Sequence, residues 1–202
     1  MVAIARACAA GEIAADIAVV VSDQVSAAGI ERARTLNLPV VVVNRSDFRN
    51  AGRLDRPAFE AALTAAIEQH HADLLILAGF MSVLSATFVA RYEGRMLNIH
   101  PSLLPRHAGL HTHARALAAG DREHGASVHF VTAELDGGPL IAQAAVAIEP
   151  GDDVASLSAR VHAREHMLYP MAIQWLASGR LRWNDGHPTL DGKVLSAPVR
   201  LA

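Results

Sequence analysis

The sequence predicts an α/β fold, a doubly wound and mostly parallel sheet that ends in a long C-terminal helix and a hairpin. Three observations predict it. Apolar runs of strand length alternate with helical segments, and that alternation calls for parallel crossovers. The runs are continuous in Val, Ile and Leu, as in "DIAVVVSD" (16–23), which marks strands covered on both faces. Two Asp-Gly pairs, 185–186 and 191–192, mark tight hairpin turns near the C-terminus.

Taken in order, "VAIARACAA" reads as a helix stopped by Gly11. "DIAVVVSD" is a strand, "IERARTLN" is helical, and "LPVVVV" is a second buried strand. The polar stretch "NRSDFRNAGRLDR" is a loop leading to Pro57, a favourable first helical residue, and "PAFEAALTAAIEQHH" is the helix it opens. "DLLILAGF" is the next strand, and Ser85 caps a short helix in "SATFVARYEG". "RMLNIH" is a strand, "HARALAAGD" a helix, and "SVHFVTAE" and "PLIAQAAVAI" are two further strands. A long helix runs from near Asp153 to Gly179, interrupted or kinked near Pro170. "RLRWNDGHPTLDGKVL" supplies the hairpin. There is no internal repeat, low-complexity linker or composition break, so residues 1–202 are expected to form one domain.

Composition narrows the function. Apolar residues make up 51% of the chain, enough for a sizeable core. The net charge of −2 gives no electrostatic case for nucleic acid or an anionic membrane. Aromatics, at 4%, are too few for base-stacking platforms. The single cysteine, Cys8, excludes an internal disulfide and fits a reducing cytoplasm. It lies on an apolar helix and reads as core, not nucleophile. No apolar run approaches the roughly 20 residues that span a bilayer. G-x-G-x-x-G and Walker loops and a serine nucleophile elbow are all missing.

The chemistry concentrates in "RMLNIHPSLLPRHAGLHTH" (95–113). Pro101 keeps His100 extended, and positions i and i+2 of an extended segment project to one side. Asn98 and His100 therefore point together, while Ile99 turns into the packing. An amide donor beside an imidazole suits a developing oxyanion on an acyl carbon. Asp136, in "ELDGGPLI", sits in a tight turn made by two glycines and a proline. A carboxylate there favours the charged imidazolium by ion pairing and can hold a water for proton transfer. His107, His111 and His113 are close in sequence, but no helical spacing or carboxylate cluster accompanies them. Hydrogen bonding, not metal ligation, is expected of them.

Three stretches, "GRMLNIHPSLLPRHAGLHTH", "EHGASVHFVTAELDGGPLI" and "AGFMSVLS", resemble signatures of the folate-dependent formyl hydrolase/transferase family. Within it the likeness is to phosphoribosylglycinamide formyltransferases, and it extends from Val2 to about Leu195. The resemblance implies a Rossmann-like formyltransferase fold. It also implies transfer of a formyl group from 10-formyltetrahydrofolate to the amine of glycinamide ribonucleotide in purine synthesis, with no metal. Asn98 and His100 would polarise the formyl oxygen, His100 would donate the proton, and Asp136 would support it. The folate would lie against Met81, Ser82, Val83 and Leu84, near Arg56 and Asn98, and under Thr132, Ala133, Glu134, Leu135 and Asp136. The acceptor would be held by His162, Ala163, Arg164 and Glu165.

Members of the family carry a further strand and a Gly/Ser/Asn-rich phosphate loop before the first helix. The chain starts at that helix, so N-terminal truncation relative to the family is expected, through a late start codon or a shortened chain. Ser82 stands where a basic residue is frequent, and His162 where Gln is common. Two other readings share the residue set, a formyltetrahydrofolate hydrolase and an inactive folate-binding remnant. The sequence leaves oligomeric state open.

Overall fold

A computed structural model describes residues 1–201. The chain runs α1 (Val2–Ala9), β1 (Val20–Ser22), α2 (Ala28–Thr35), β2 (Val40–Val42), β3 (Arg49–Asn50), β4 (Arg53–Leu54), α3 (Arg56–Gln69), β5 (Leu75–Leu77), α4 (Ala86–Arg91), β6 (Met96–His100), α5 (Thr112–Ala118), β7 (Glu123–Phe130), β8 (Leu140–Ala147), α6 (Val154–Ala177), β9 (Leu181–Asn184), β10 (His187–Leu190), β11 (Lys193–Val194) and β12 (Val199–Leu201). The predicted alternation of strands and helices is present throughout.

The central sheet has the order β12-β8-β7-β6-β5. β5 and β6 pair in parallel, as do β8 and β12, while β7 runs against both its neighbours. β1 and β2 form their own parallel pair. That pair shares a core with β5, and Ser82 Oγ donates to Asp23 across the strand ends at 2.9 Å. Successive β6 residues separate the two faces of the sheet. Leu97 enters a core with α1 and α6, and Met96 enters another with α3 and α4. Helices thus cover both faces, as continuous apolar strands require.

Local chemistry sets the helix ends. Gly11, at φ +74°, follows the end of α1. Ser85 accepts from the Phe88 N–H and caps α4. Asp153 and Ser156 close a capping box on α6. α6 buries Leu157, Val161, Leu168, Tyr169, Ala172 and Ile173, each large side chain contributing roughly 1.5–3 kcal/mol. The expected interruption at Pro170 is not found, and the helix runs through it. An interior proline costs about 3 kcal/mol, which this burial offsets. Tyr169, just before it, also ties the helix to the sheet, with its hydroxyl 2.7 Å from the Leu77 carbonyl oxygen.

Three elements depart from the expectations. β7 starts at Glu123, four residues before the expected Ser127. Gly125 lies inside it, where a Cβ would come 2.0 Å from the Ala144 carbonyl oxygen. The polar loop before Pro57 folds into a 3-10 turn (Arg45–Phe48) and the β3–β4 hairpin. After the Asp-Gly hairpins the chain returns to the main sheet as β12.

Candidate active site

Asn98 and His100 close β6, as the i, i+2 spacing predicts. In the antiparallel register Asn98 stands opposite His129, and His100 opposite Ser127. Cross-strand partners share a face, so His129 meets Asn98, with Nε2 to Nδ2 at 3.1 Å. The Nδ1 of His129 lies 2.8 Å from the Phe130 carbonyl oxygen and must donate to it. Nε2 therefore carries the lone pair and accepts from Asn98. This orients the amide, and the second Nδ2 hydrogen has no protein partner among the described residues. Burial lowers the pKa of His129 and keeps the ring neutral. Its 3.9 Å approach to Asp136 is then no ion pair. Residue-type reasoning missed His129 because only the strand register reveals it.

Asp136 adopts φ +51° in the turn between β7 and β8. Gly138 is needed there, since a Cβ would sit 1.8 Å from the Phe130 carbonyl oxygen. The turn brings Asp136 Oδ2 to 3.4 Å from His100 Nδ1, with both side chains buried. The same oxygen accepts from the Gly109 N–H at 2.9 Å. The other ring nitrogen of His100, Nε2, is 3.1 Å from the His107 carbonyl oxygen. Asn98, His100 and Asp136 are thus brought together from two separate strand ends.

The loop after β6 is held by buried polar groups. Ser127 Oγ donates to the Ser102 carbonyl at 2.7 Å and accepts from the Leu104 N–H and from Gln143 Nε2. Gln143 also donates to the Leu104 carbonyl. Two of the three histidines of this loop meet polar partners. His107 pairs with Asp121 at 2.7 Å, and His113 Nδ1 meets His124 Nε2 at 3.1 Å. His111 sits at φ +57° before α5. Among the described residues, no group of three or more His, Cys, Asp or Glu is disposed to hold a metal. Burial pushes His124 down to about 4 and also lowers His113. Cys8 packs against the main core and burial raises its pKa, which makes it a poor nucleophile.

A cavity of about 80 Å³ opens beside this group. Leu77, Phe80, Val83, Leu84, Val89 and Val131 make its apolar wall, and Ser82, Asn98, His129 and Thr132–Asp136 complete it. Of the residues singled out in the sequence, Ser82, Val83, Leu84, Asn98, Thr132, Ala133, Glu134, Leu135 and Asp136 line it. Met81 is exposed beside it and not in the lining, and Arg56 lies on the exposed first turn of α3, away from the lining. His100 does not line it either and reaches it through Asp136. His162, Ala163, Arg164 and Glu165 form one turn of α6, and none of them lines the cavity. Burial raises the Glu165 carboxyl pKa, against the opposing pull of His162 and the Met1 amino group.

The formyl transferase family model matches residues 1–173. Phosphoribosylglycinamide formyltransferase of Escherichia coli is 46% identical over 193 residues, covering 96% of this chain and 89% of that protein. The Haemophilus influenzae protein of the same name is 43% identical, covering 94% and 87%. Among solved structures, phosphoribosylglycinamide formyltransferase from Coxiella burnetii is 42% identical with a TM-score of 0.91, covering 100% of this chain and 93% of that one. A formyltetrahydrofolate deformylase from Pseudomonas syringae, 23% identical with a TM-score of 0.83, shares the fold. The chain belongs to the formyl transferase family.

Proposed function

We propose that this protein transfers the formyl group of 10-formyltetrahydrofolate to the amine of glycinamide ribonucleotide, a step of purine biosynthesis. The observation that carries the reading is the meeting of Asn98, His100 and Asp136 at one end of an apolar slot. The apolar walls suit the faces of a flat heterocycle, and the polar end suits a reacting carbonyl. Asn98 donates its remaining N–H to the formyl oxygen as the amine attacks, where negative charge builds. His100, held 3.4 Å from the Asp136 carboxylate, supplies a proton to the departing N10. Asp136 faces the cavity and touches His100, so it hands on the proton lost by the amine. The C–N10 bond breaks, the new C–N bond forms, and holding both partners in line supplies much of the rate.

Ser82, Val83, Leu84 and Thr132–Asp136 are assigned to the folate, with Met81 at the mouth and Arg56 as an outlying contact. His162, Ala163, Arg164 and Glu165 are assigned to glycinamide ribonucleotide. Among the described residues no helix is long and apolar enough to cross a membrane, and the lone cysteine fits a cytoplasmic site of action. The test is His100→Ala, with formyl transfer and folate binding measured side by side. Transfer should fall about 10²–10⁴-fold while binding persists. Near-normal turnover would defeat the mechanism, and formate release independent of glycinamide ribonucleotide would mark a hydrolase instead.

A further inference from the structure

A second histidine–carboxylate pair stands behind His100, away from the cavity. His107 Nε2 lies 2.7 Å from Asp121 Oδ2, and the two side chains are 12% and 4% exposed. Asp121 precedes β7 and also binds Arg106. His107 takes φ +56°, a left-handed conformation that a residue with a Cβ adopts only when its surroundings hold it there. With the backbone turned this way, its carbonyl oxygen lies 3.1 Å from His100 Nε2.

A carbonyl only accepts, so Nε2 of His100 carries the hydrogen. The neutral ring then keeps its lone pair on Nδ1, the nitrogen 3.4 Å from Asp136. A proton gained at Nδ1 is paired at once with that carboxylate. In the other tautomer, the Nε2 lone pair would face the lone pairs of the His107 oxygen. One line of contacts therefore runs from Asp121 through the His107 ring and carbonyl to His100 and on to Asp136.

We infer that Asp121 and His107 are positioning residues: the anchored His107 ring holds the carbonyl that fixes His100 in the Nε2–H tautomer, leaving Nδ1 to gain and lose the proton. This rests on the reading of His100 as the proton donor. The other titratable groups that act on His100 are His113 of α5 and His124 and His129 of β7, all kept neutral by burial. Asp136 is then the charge that answers a proton on His100. A purely structural staple between Asp121 and Arg106 would hold the loop without setting the tautomer.

Histidine ¹⁵N NMR on the unaltered protein, above the titration of its histidines, gives the direct test. His100 should carry its hydrogen on Nε2, and a neutral ring protonated on Nδ1 would overturn the inference. Asp121→Asn should lower kcat roughly tenfold, leave folate KM within about twofold, and move the pH profile of kcat. His107→Phe should do the same. His107→Gln, whose amide N–H reaches about as far as Nε2, should recover most of the loss. Arg106→Gln leaves the His107–Asp121 contact in place and should keep wild-type kcat within about twofold. Wild-type kcat and pH profile in Asp121→Asn and His107→Phe would reduce the pair to a staple. Should Asp121→Asn not fold, the contrast between His107→Phe and His107→Gln and the wild-type spectrum decide the question. Normal turnover in His100→Ala would sink the catalytic reading alone, since the tautomer is measured without turnover.

Discussion

Two carboxylates flank the same histidine-rich loop, and each meets one imidazole. Asp136 faces the cavity and stands 3.4 Å from His100. Asp121 lies outside that cavity, contacts His107 at 2.7 Å and binds Arg106 as well. The His107 hydrogen bond, followed by the charge of Arg106, holds the Asp121 carboxyl below the usual carboxylate range. The looser pair has room to exchange a proton with a substrate, and the tighter one has its hydrogen bonds already filled. The difference teaches that a histidine–carboxylate contact is read by what else its oxygens touch. A closed pair holds geometry, and an open pair is able to do chemistry.

Exchanging the two carboxylates for amides should separate the roles. Asp136→Asn should cost about 10²-fold in kcat with little change in the urea midpoint, because Asn tolerates the left-handed turn conformation. If kcat survives, the open pair is not catalytic and the contrast collapses. Asp121→Asn should reverse the emphasis, costing roughly 1–2 kcal/mol of stability through charged hydrogen bonds lost to His107 and Arg106. Its folded pKa is depressed, so this stabilisation is full above the unfolded carboxylate pKa and is lost as pH falls through the folded value. Urea titrations of both forms should therefore converge in acid. A constant gap down to the lowest pH would contradict the ion-paired picture.

A purely pH-dependent effect lies behind the pairs. Burial leaves His124 with a folded pKa of about 4, below the unfolded value, so the unfolded chain binds its proton first. Stability should then rise with pH between about 4 and 6.5, by at most about 1.4 kcal/mol per pH unit for this proton. His124→Asn, compared across that window, should flatten the slope. An unchanged slope would place the proton uptake elsewhere.

Much of this site was legible before any tertiary contact. The i, i+2 spacing and Pro101 placed Asn98 and His100 together, and the Asp-Gly-Gly turn marked Asp136 as special. The loops 81–84 and 132–136 were carried by family resemblance, and all of their residues except Met81 line the cavity. Other features had no local signal. His129 looks like one more residue in an apolar strand until the register sets it opposite Asn98. Asp121 and His107 are fourteen residues apart, with α5 between them. Arg56 carried a family expectation that the cavity lining does not share.

By itself the sequence determined the features that short-range sterics and periodicity govern. It set the alternation of strands and helices, the caps at Ser85 and Asp153, the Asp-Gly turns and the shared direction of Asn98 and His100. Only the tertiary structure decided which carboxylate met which imidazole, that β12 returns to β8, and that α6 passes through Pro170 unbroken. The reason is that a hydrogen bond between distant residues depends on sheet register and packing. These settle only when the whole core closes, whereas φ/ψ preferences act between neighbours whatever the rest of the chain does.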